Sequence, residues 1–230
     1  ENILHKIMTF NQFIDHTLLK PTATETDIIT LCNEAKTHEF FSVCVNSSYV
    51  KLVASQLESS TVKVCSVVGF PLGAMSTQAK VAEAIQAVKD GADEIDMVIN
   101  IGALKSKAFD TVWQDIEAVK KAIPNTTLKV ILETCYLDEL EIIKASELAV
   151  NSGADFIKTS TGFGTDGATV NAIKLMKSVT KGTAVKIKAS GGIRDTKTAL
   201  KYINLGVDRL GTSSGIAIIT GGSTQDNSSY

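Results

Sequence analysis

The sequence predicts an α/β fold, a single-domain (β/α)8 TIM barrel, and three observations support this prediction. Short β-favouring runs alternate with helical patterns along the 230 residues, as a parallel sheet with crossover helices requires. A motif of glycine, a small residue and aspartate recurs directly before three of these runs, at 91–95, 153–157 and 206–210. No G-x-G-x-x-G follows the first run, which argues against an open dinucleotide-binding sheet.

The predicted strands are short runs rich in β-branched and apolar residues, bounded by polar or glycine-containing loops. They are expected at 13–15, 42–45, 63–68, 94–99, 129–133, 156–158, 184–189 and 207–211. Eight such strands close into a barrel more readily than they spread into an open sheet. The repeat glycines follow helices, where a C-terminal cap is expected.

The predicted helices fill the intervals and carry recognisable start and stop signals. Thr24 with Asp27 resembles a capping box at the start of the first helix, and Pro124 prevents the helix over 108–122 from continuing. The helices are expected at 21–36, 47–56, 76–89, 108–122, 137–151, 168–179, 195–205 and 213–219. We therefore expect a catalytic barrel over residues 1–220 and a flexible Gly/Ser-rich tail over 221–230.

Composition excludes several classes of partner. The net charge is −2 and 44% of the residues are hydrophobic, so we expect a sizeable core and no binding to nucleic acid. No run of 18 apolar residues and no signal-peptide pattern is present, which predicts no membrane partner. Four scattered cysteines without a C-x-x-C pair are typical of reduced thiols in a cytoplasmic protein. Three histidines without an H-x-x-x-H pair give little basis for a zinc site, and no metal is predicted.

The most informative residue is Lys158, which ends the predicted sixth strand before a loop rich in Thr, Ser and Gly. A charged amine inside a strand is costly unless it is paired or neutralised. At the carboxyl end of a barrel strand, however, it faces the side where these folds carry out chemistry. We interpret Lys158 as a nucleophilic amine. The alternative is a lysine whose stem packs while its ammonium reaches water.

Lys188 ends the predicted seventh strand and would neighbour Lys158 if consecutive strands pair. Two adjacent ammonium groups repel, which lowers the pKa of at least one of them. This matters because a lysine with a pKa near 10.4 is neutral only about once in 2,500 molecules at pH 7. The neutral amine is the form that attacks a carbonyl. The alternative is that Lys186 and Lys188 are solvated or paired with acids such as Glu133.

Two further groups complete the predicted site. Asp96 lies on the inward face of the fourth strand, where it could exchange protons with a substrate or neutralise a lysine, or do both. The loops after strands seven and eight contain glycine and serine, as barrel phosphate sites often do. Arg194 could add a cation there or cap the helix that it precedes. The candidate phosphate residues of these loops are Gly191, Gly192, Arg194, Gly211, Ser213 and Ser214.

At these residues the sequence resembles the deoxyribose-phosphate aldolase family. The resemblance runs in order from about residue 13 to 214, and its two lysine motifs are highly specific. The lysine motifs are Phe156-Ile157-Lys158-Thr159-Ser160-Thr161-Gly162 and Lys186-Ile187-Lys188-Ala189-Ser190-Gly191-Gly192. Further similar segments are 15–21, 43–46, 68–73 and 91–96.

The resemblance implies a class I aldolase that needs no metal and no cofactor. It implies reversible cleavage of 2-deoxy-D-ribose 5-phosphate to D-glyceraldehyde 3-phosphate and acetaldehyde, so the expected partners are these small molecules. In this pattern Lys158 matches the Schiff-base lysine, Lys188 the lysine that perturbs it and Asp96 the proton-relay acid. Family members are often homodimers or homotetramers.

The resemblance also extends to weaker positions. Asp15 and Thr17 could contact the middle hydroxyls of the sugar, and Thr161 and Gly162 belong to the expected substrate-binding and phosphate-binding set. Tyr230 ends the tail, as a tyrosine does in some family members, and could fold over the site to assist proton transfer. The alternative for Tyr230 is a disordered tail.

Three other functions remain open at this point. A Schiff-base aldolase for another phosphorylated sugar would share the same lysine chemistry. A non-catalytic phosphosugar-binding barrel would use its lysines only to hold anions. A metal-dependent aldolase would lose activity to a chelator, whereas we expect EDTA to have no effect.

Overall fold

The computed structural model describes residues 10–222, which form a closed barrel of eight parallel strands in chain order, with β8 pairing back to β1. The predicted (β/α)8 barrel is therefore confirmed. The strands are β1 Ile14–Leu18, β2 Ser42–Val45, β3 Lys63–Val68, β4 Glu94–Val98, β5 Thr127–Ile131, β6 Phe156–Lys158, β7 Lys186–Ser190 and β8 Arg209–Thr212. The predictions for residues 223–230, including Tyr230, lie outside the described residues.

The helices surround the barrel and mostly follow the predicted order. They are α1 Glu25–Thr37, α2 Val50–Leu57, α3 Thr77–Lys89, α4 Ile101–Lys105, α5 Phe109–Ala122, α6 Glu139–Asn151, α7 Val170–Thr180, α8 Thr196–Asn204 and α9 Gly215–Thr220. The capping box predicted at Thr24 and Asp27 is present at the start of α1. Among the described helices, none is both long enough and apolar enough to cross a membrane.

Several local predictions differ from the structure: the first strand covers 14–18 rather than 13–15, and the first helix begins at residue 25 rather than 21. Helix α4 was not predicted because five residues are too few to show a helical period; Asn100 caps it by accepting a hydrogen bond from the N–H of Ala103 at 3.0 Å. The fifth strand covers 127–131 rather than 129–133, because Glu133 adopts a left-handed conformation with φ of 57°. This shift moves Lys129 from the first position to the centre of the strand and places Glu133 in the loop beyond it.

The Gly-x-Asp repeat joins neighbouring strands at the end of the barrel where they begin. Each repeat aspartate accepts a hydrogen bond from a backbone N–H of the preceding strand, at 2.8–2.9 Å: Asp93 from Val64, Asp155 from Leu128 and Asp208 from Ile187. The repeat glycine Gly91 has φ of 112°, a conformation that only glycine adopts without strain. The repeat is therefore structural and lies away from the carboxyl ends of the strands.

The strands separate an apolar layer from a charged interior. Side chains alternate along each strand, so Val43 and Val45 of β2 pack towards the helices while Cys44 points into the barrel. The same alternation in β4, β5, β7 and β8 directs charged side chains inward, and these are fully or almost fully buried: Glu94, Asp96, Lys129, Lys188 and Arg209. Buried charges are costly unless paired, so the interior must provide its own counter-ions.

Candidate active site

Asp96 is the centre of the charged interior. Its Oδ2 accepts hydrogen bonds from Lys158 Nζ at 2.9 Å and from Lys188 Nζ at 2.8 Å. Its Oδ1 accepts one from Lys129 Nζ at 2.8 Å. Asp96 and all three lysines are buried. One carboxylate thus joins three amines that come from three consecutive strands.

The strand register explains this convergence. Lys158 of β6 and Lys188 of β7 are register partners, and Asp96 of β4 is the register partner of Lys129 of β5. All four residues occupy inward positions, so their side chains meet in the middle of the barrel. The structure therefore brings together the three predicted catalytic residues and adds Lys129 to them.

A second layer of ion pairs supports the cluster. Asp15 Oδ2 lies 2.5 Å from Lys188 Nζ, and Asp15 Oδ1 lies 2.8 Å from an Arg209 guanidinium nitrogen. Glu94 Oε2 lies 2.5 Å from Lys129 Nζ and 3.2 Å from the same Arg209 nitrogen. Asp15 is thus engaged on both carboxylate oxygens, deep in the interior.

The charges of this cluster balance without Lys158. The cluster contains three carboxylates and three other cations, and each of these cations forms at least two ion pairs. The carboxylates are those of Asp15, Glu94 and Asp96, and the cations are Lys129, Lys188 and Arg209. Lys158 is the additional amine, and its ion pair is with Asp96. A neutral Lys158 would therefore leave these six groups with no net charge.

The ion pairs fix the protonation states of the neighbours of Lys158. Burial would raise the pKa of Asp96, but Lys129, Lys158 and Lys188 outweigh burial and hold that pKa well below its ordinary value. Burial would lower the pKa of Lys188, but Asp15 and Asp96 outweigh it and raise that pKa above its ordinary value. The ion pairs therefore favour the ammonium form of Lys188 and the carboxylate form of Asp96 beside Lys158.

The predicted phosphate loops lie at the same end of the barrel as Lys158. Ser190 of β7 and Gly211 of β8 are register partners, so the loops that follow these two strands are adjacent. Gly191 and Gly192 have φ of 82° and 75°, which turns the chain sharply after β7. Within this set Gly192 and Ser213 are exposed, Arg194 is half-buried and Ser214 is buried.

Thr161 and Gly162 belong to the loop that follows Lys158, and Glu133 holds this loop in place. The carboxylate of Glu133 accepts hydrogen bonds from both the N–H of Thr161, at 3.0 Å, and the Thr161 hydroxyl. Burial raises the pKa of Glu133, against the hydrogen bonds from Thr161. Glu133 thus contacts the lysine-bearing loop, and Lys188 finds its counter-ions elsewhere.

An apolar cluster adjoins Asp96. It contains Leu19, Cys44, Cys65 and Val67, with Phe70 and Phe163 packed against them. The two rings meet edge to face at 5.4 Å between centroids. Cys65 links the cluster to the charged interior, because its Sγ donates to Asp96 Oδ1 at 3.2 Å. The candidate site therefore has one apolar wall and one charged floor.

One group of described residues has the composition of a metal site. Cys44, Cys65 and Asp96 offer three possible ligand atoms within 4.8 Å of one another. The two oxygens of Asp96 already accept hydrogen bonds from Lys129, Lys158 and Lys188. A metal cation would have to displace these ammonium groups, so the donor set fits a cation poorly.

Comparison with known proteins agrees with this site. The family model described as DeoC/LacD family aldolase matches residues 9–219. The chain belongs to this aldolase family. The resemblance found in the two lysine motifs is therefore confirmed.

Relatives of this aldolase family match nearly the whole chain. The deoxyribose-phosphate aldolase of Brevibacillus brevis is 55% identical over 217 residues, which cover 94% of this chain and 98% of the relative. Among solved structures, the aldolase QR15 has a TM-score of 0.88 at 46% identity and covers 92% of this chain and 94% of its own. A deoxyribose phosphate aldolase from Aeropyrum pernix, described as having a unique tetrameric structure, has a TM-score of 0.87 at 32% identity, covering 95% and 93%.

Sequence reasoning missed three charged members of the interior: Glu94, Lys129 and Arg209. The prediction placed Lys129 at the first position of the fifth strand, whereas in the structure it lies at the centre of β5 and points inward. Glu94 lies two residues before Asp96 and therefore on the same inward face of β4, but the sequence indicates no partner for it. Side chains alternate along β5 and β8, and this alternation could have identified Lys129 and Arg209 as residues that point into the barrel.

Proposed function

We propose that this chain is a class I aldolase, a carbon–carbon lyase that reversibly cleaves 2-deoxy-D-ribose 5-phosphate to D-glyceraldehyde 3-phosphate and acetaldehyde. The observation that carries the proposal is the Lys158 amine, buried at the carboxyl end of β6 beside a second lysine and bonded to Asp96 at 2.9 Å. The named relatives and the family model support the same reaction.

Lys158 is the best candidate for the nucleophile because it has the fewest ion-pair partners of the three lysines. Lys188 pairs with two carboxylates and Lys129 with three, whereas the ion pair of Lys158 is with Asp96, which it shares with both. Removing a proton from Lys158 therefore costs the least Coulomb attraction. Lys188 then acts as the cation that disfavours a second ammonium beside it.

The reaction follows from a neutral amine in this position. Lys158 adds to the C1 aldehyde, and loss of water gives an iminium ion that withdraws electrons from C2. The C3 hydroxyl gives up its proton, the C2–C3 bond breaks, and its electron pair forms an enamine on Lys158. Glyceraldehyde 3-phosphate leaves with C3 as its new aldehyde carbon. Protonation of C2 and hydrolysis then release acetaldehyde and the free amine.

Asp96 and Lys188 are the proposed proton carriers for these steps. Both lie within hydrogen-bond distance of one another, and Asp96 contacts the reacting amine directly. A proton taken from the substrate can therefore pass through Asp96, Lys188 or a water between them. No metal is needed in this scheme, because the iminium supplies the electron sink that a metal would otherwise provide.

The phosphate is proposed to bind in the loops after β6, β7 and β8, which anchors C1 above Lys158. Exposed backbone N–H groups and hydroxyls in glycine-rich turns are suited to an anion. The proposed contacts are Thr161, Gly162, Gly191, Gly192, Arg194, Gly211, Ser213 and Ser214. Asp15 and Thr17 remain proposed contacts of the middle hydroxyls, although the ion pairs of Asp15 with Lys188 and Arg209 would compete with such a contact.

The test of the proposed reaction is turnover of purified protein with a panel of phosphosugars. We expect cleavage of 2-deoxyribose 5-phosphate, weaker cleavage of ribose 5-phosphate and no loss of activity in EDTA. A preference for another phosphosugar would assign a different Schiff-base aldolase, and sensitivity to EDTA would assign a metal-dependent one. Binding without turnover would reduce the protein to a phosphosugar-binding barrel.

Three further proposals concern the state of the protein. A homodimer or homotetramer is supported by the tetramer described for the Aeropyrum relative. A cytoplasmic location is supported by four unpaired cysteines, which a reducing compartment preserves. A single catalytic domain over residues 1–220, followed by a short tail, is supported by the closed barrel.

A further inference from the structure

Cys44 and Cys65 form a close thiol pair inside the barrel. They are register partners on the neighbouring strands β2 and β3, and both occupy inward positions. Adjacent strands lie about 4.8 Å apart, which falls within the Cα separation that a disulfide spans. Their Sγ atoms lie within 4.8 Å of each other, and both are free thiols.

The surroundings make the two thiols unequal. The pKa of Cys44 is lowered, chiefly by the neighbouring Cys65 thiol and, against burial, by the Lys188 ammonium. The pKa of Cys65 is raised well above its ordinary value by burial and by Cys44. Cys65 donates its S–H to Asp96 Oδ1. Of the two thiols, Cys44 therefore has the lower pKa and is the better candidate for oxidation, with Cys65 as its protonated neighbour.

The proposed reaction does not use these thiols, because proton transfer and covalent catalysis fall to Lys158, Lys188 and Asp96. Cys32, in contrast, lies on α1 in the layer between helices and strands, and burial raises the pKa of its thiol to about 11. Cys135 is half-buried in the loop after β5. Among the four cysteines, the placement of Cys44 and Cys65 beside Asp96 is therefore the one with a consequence for activity.

We propose that Cys44 and Cys65 are an oxidative modification site at which hydrogen peroxide forms a reversible cross-strand disulfide that switches the enzyme off. The Cys44 thiolate attacks one peroxide oxygen, the O–O bond breaks, and Cys44 becomes a sulfenic acid with release of hydroxide. Cys65 then attacks the Cys44 sulfur, an S–S bond replaces the S–O bond, and the Cys65 proton leaves with the hydroxyl as water. The two thiols together lose two electrons, and the peroxide is reduced to two waters.

The disulfide would act on the lysine cluster through Asp96. Bonding to Cys44 removes the S–H that Cys65 donates to Asp96 Oδ1 and draws its sulfur away from Lys129 Nζ, now 3.4 Å distant. Asp96 loses a hydrogen-bond donor, and the link fixes two sulfurs in the apolar wall beside the reacting amine. Because the geometry of Asp96 sets the position of Lys158, the oxidised enzyme is expected to turn over substrate slowly.

The experiment is oxidation of the full chain with a small excess of hydrogen peroxide, followed by mass spectrometry without reduction and by activity assays. We expect a peptide cross-linked between residues 44 and 65, with a mass loss of about 2 Da. Turnover of 2-deoxyribose 5-phosphate should fall about tenfold or more and recover on treatment with dithiothreitol. The cross-link is read from mass alone, so it can be found or missed whatever the substrate of the enzyme is.

Two variants make the test specific, each compared with its own untreated activity. Cys65→Ser removes the thiol that would form the disulfide, so peroxide should oxidise Cys44 to a sulfinic acid. Dithiothreitol should then fail to restore the lost activity. Cys135→Ser removes the most accessible thiol and should respond as the unmodified chain does. Oxidation of Cys44 without a cross-link to Cys65, or a cross-linked protein with full activity, would overturn the proposal.

Discussion

Lys158 and Lys188 donate to the same carboxylate oxygen, Asp96 Oδ2, at 2.9 and 2.8 Å. They are register partners on β6 and β7, so the backbone itself holds the two amines side by side. Lys188 also pairs with a second carboxylate, Asp15, whereas Lys158 pairs with Asp96, which it shares with Lys188. This asymmetry assigns different roles to two chemically identical side chains.

Asp96→Asn should strongly reduce activity and destabilise the barrel. The change leaves three buried lysines without their shared carboxylate, and breaking a buried ion pair costs about 3–5 kcal/mol. We expect turnover to fall by about a thousandfold, of the order seen when a catalytic acid–base group is lost. Urea unfolding and steady-state kinetics measure the two effects. Asp110→Asn, on the exposed face of α5, is the matched control and should change the unfolding free energy by less than about 1 kcal/mol.

Lys129→Met should shift the pH dependence of catalysis. Lys129 is the largest cationic influence that lowers the pKa of Asp96, so its loss should raise that pKa. Asp96 would then become protonated at a higher pH. In the profile of kcat against pH, the acidic limb should therefore shift to higher pH. A profile that keeps its acidic limb, with lower activity throughout, would show that Lys129 serves folding alone.

Acid should unfold the protein through its interior carboxylates. Lys188 and Arg209 hold the pKa of Asp15 below its ordinary value, against burial. A carboxyl group whose pKa is lower in the folded than in the unfolded protein stabilises the fold at pH values above the unfolded pKa, about 3.9. This stabilisation is lost as the pH falls below that value. We expect the unfolding free energy to be nearly constant from pH 7 to 5 and to decrease below about pH 4. In Asp15→Asn the decrease should be shallower, from a lower starting stability.

Glu133→Ala should weaken substrate binding more than it slows chemistry. Glu133 holds Thr161, which lies three residues beyond Lys158 in a loop proposed to bind phosphate. Freeing this loop should raise KM for 2-deoxyribose 5-phosphate about tenfold, with a smaller effect on kcat. Unphosphorylated 2-deoxyribose should show little change in KM, and this comparison identifies a phosphate effect. Glu133→Gln retains an acceptor for the Thr161 N–H, so its KM for 2-deoxyribose 5-phosphate should lie between those of the unmodified chain and Glu133→Ala.

The sequence predicted the barrel, and it singled out three residues that the structure brings together, because both depend on local patterns. Alternation of strands and helices, the Gly-x-Asp repeat and the two lysine motifs are all visible in short windows. The ion-pair partners of Lys188 were not predictable in the same way. Asp15 lies 173 residues away in sequence, and only closure of the barrel brings β1 and β7 to the same interior.

The errors have physical causes of the same kind. The predicted fifth strand begins at Lys129, whereas this buried lysine lies at the centre of β5, where an apolar residue is the usual expectation. Its burial is stabilised by Glu94 and Asp96, which belong to another strand. Arg209 was interpreted only as part of the repeat at 206–210. Its ion-pair partners, Asp15 and Glu94, lie on other strands and are not visible in the local sequence. Long-range electrostatics thus decides which polar residues a barrel can bury.

The central claim is that the amine of Lys158 forms the covalent bond to substrate, and reductive trapping tests it most directly. Sodium borohydride added to the protein with acetaldehyde should fix an ethyl group on one lysine, adding about 28 Da, and peptide mapping should place it on Lys158. Lys158→Leu should take up no adduct at this site and should not cleave 2-deoxyribose 5-phosphate. An adduct confined to Lys188 or Lys129, or unchanged cleavage by Lys158→Leu, would contradict the account.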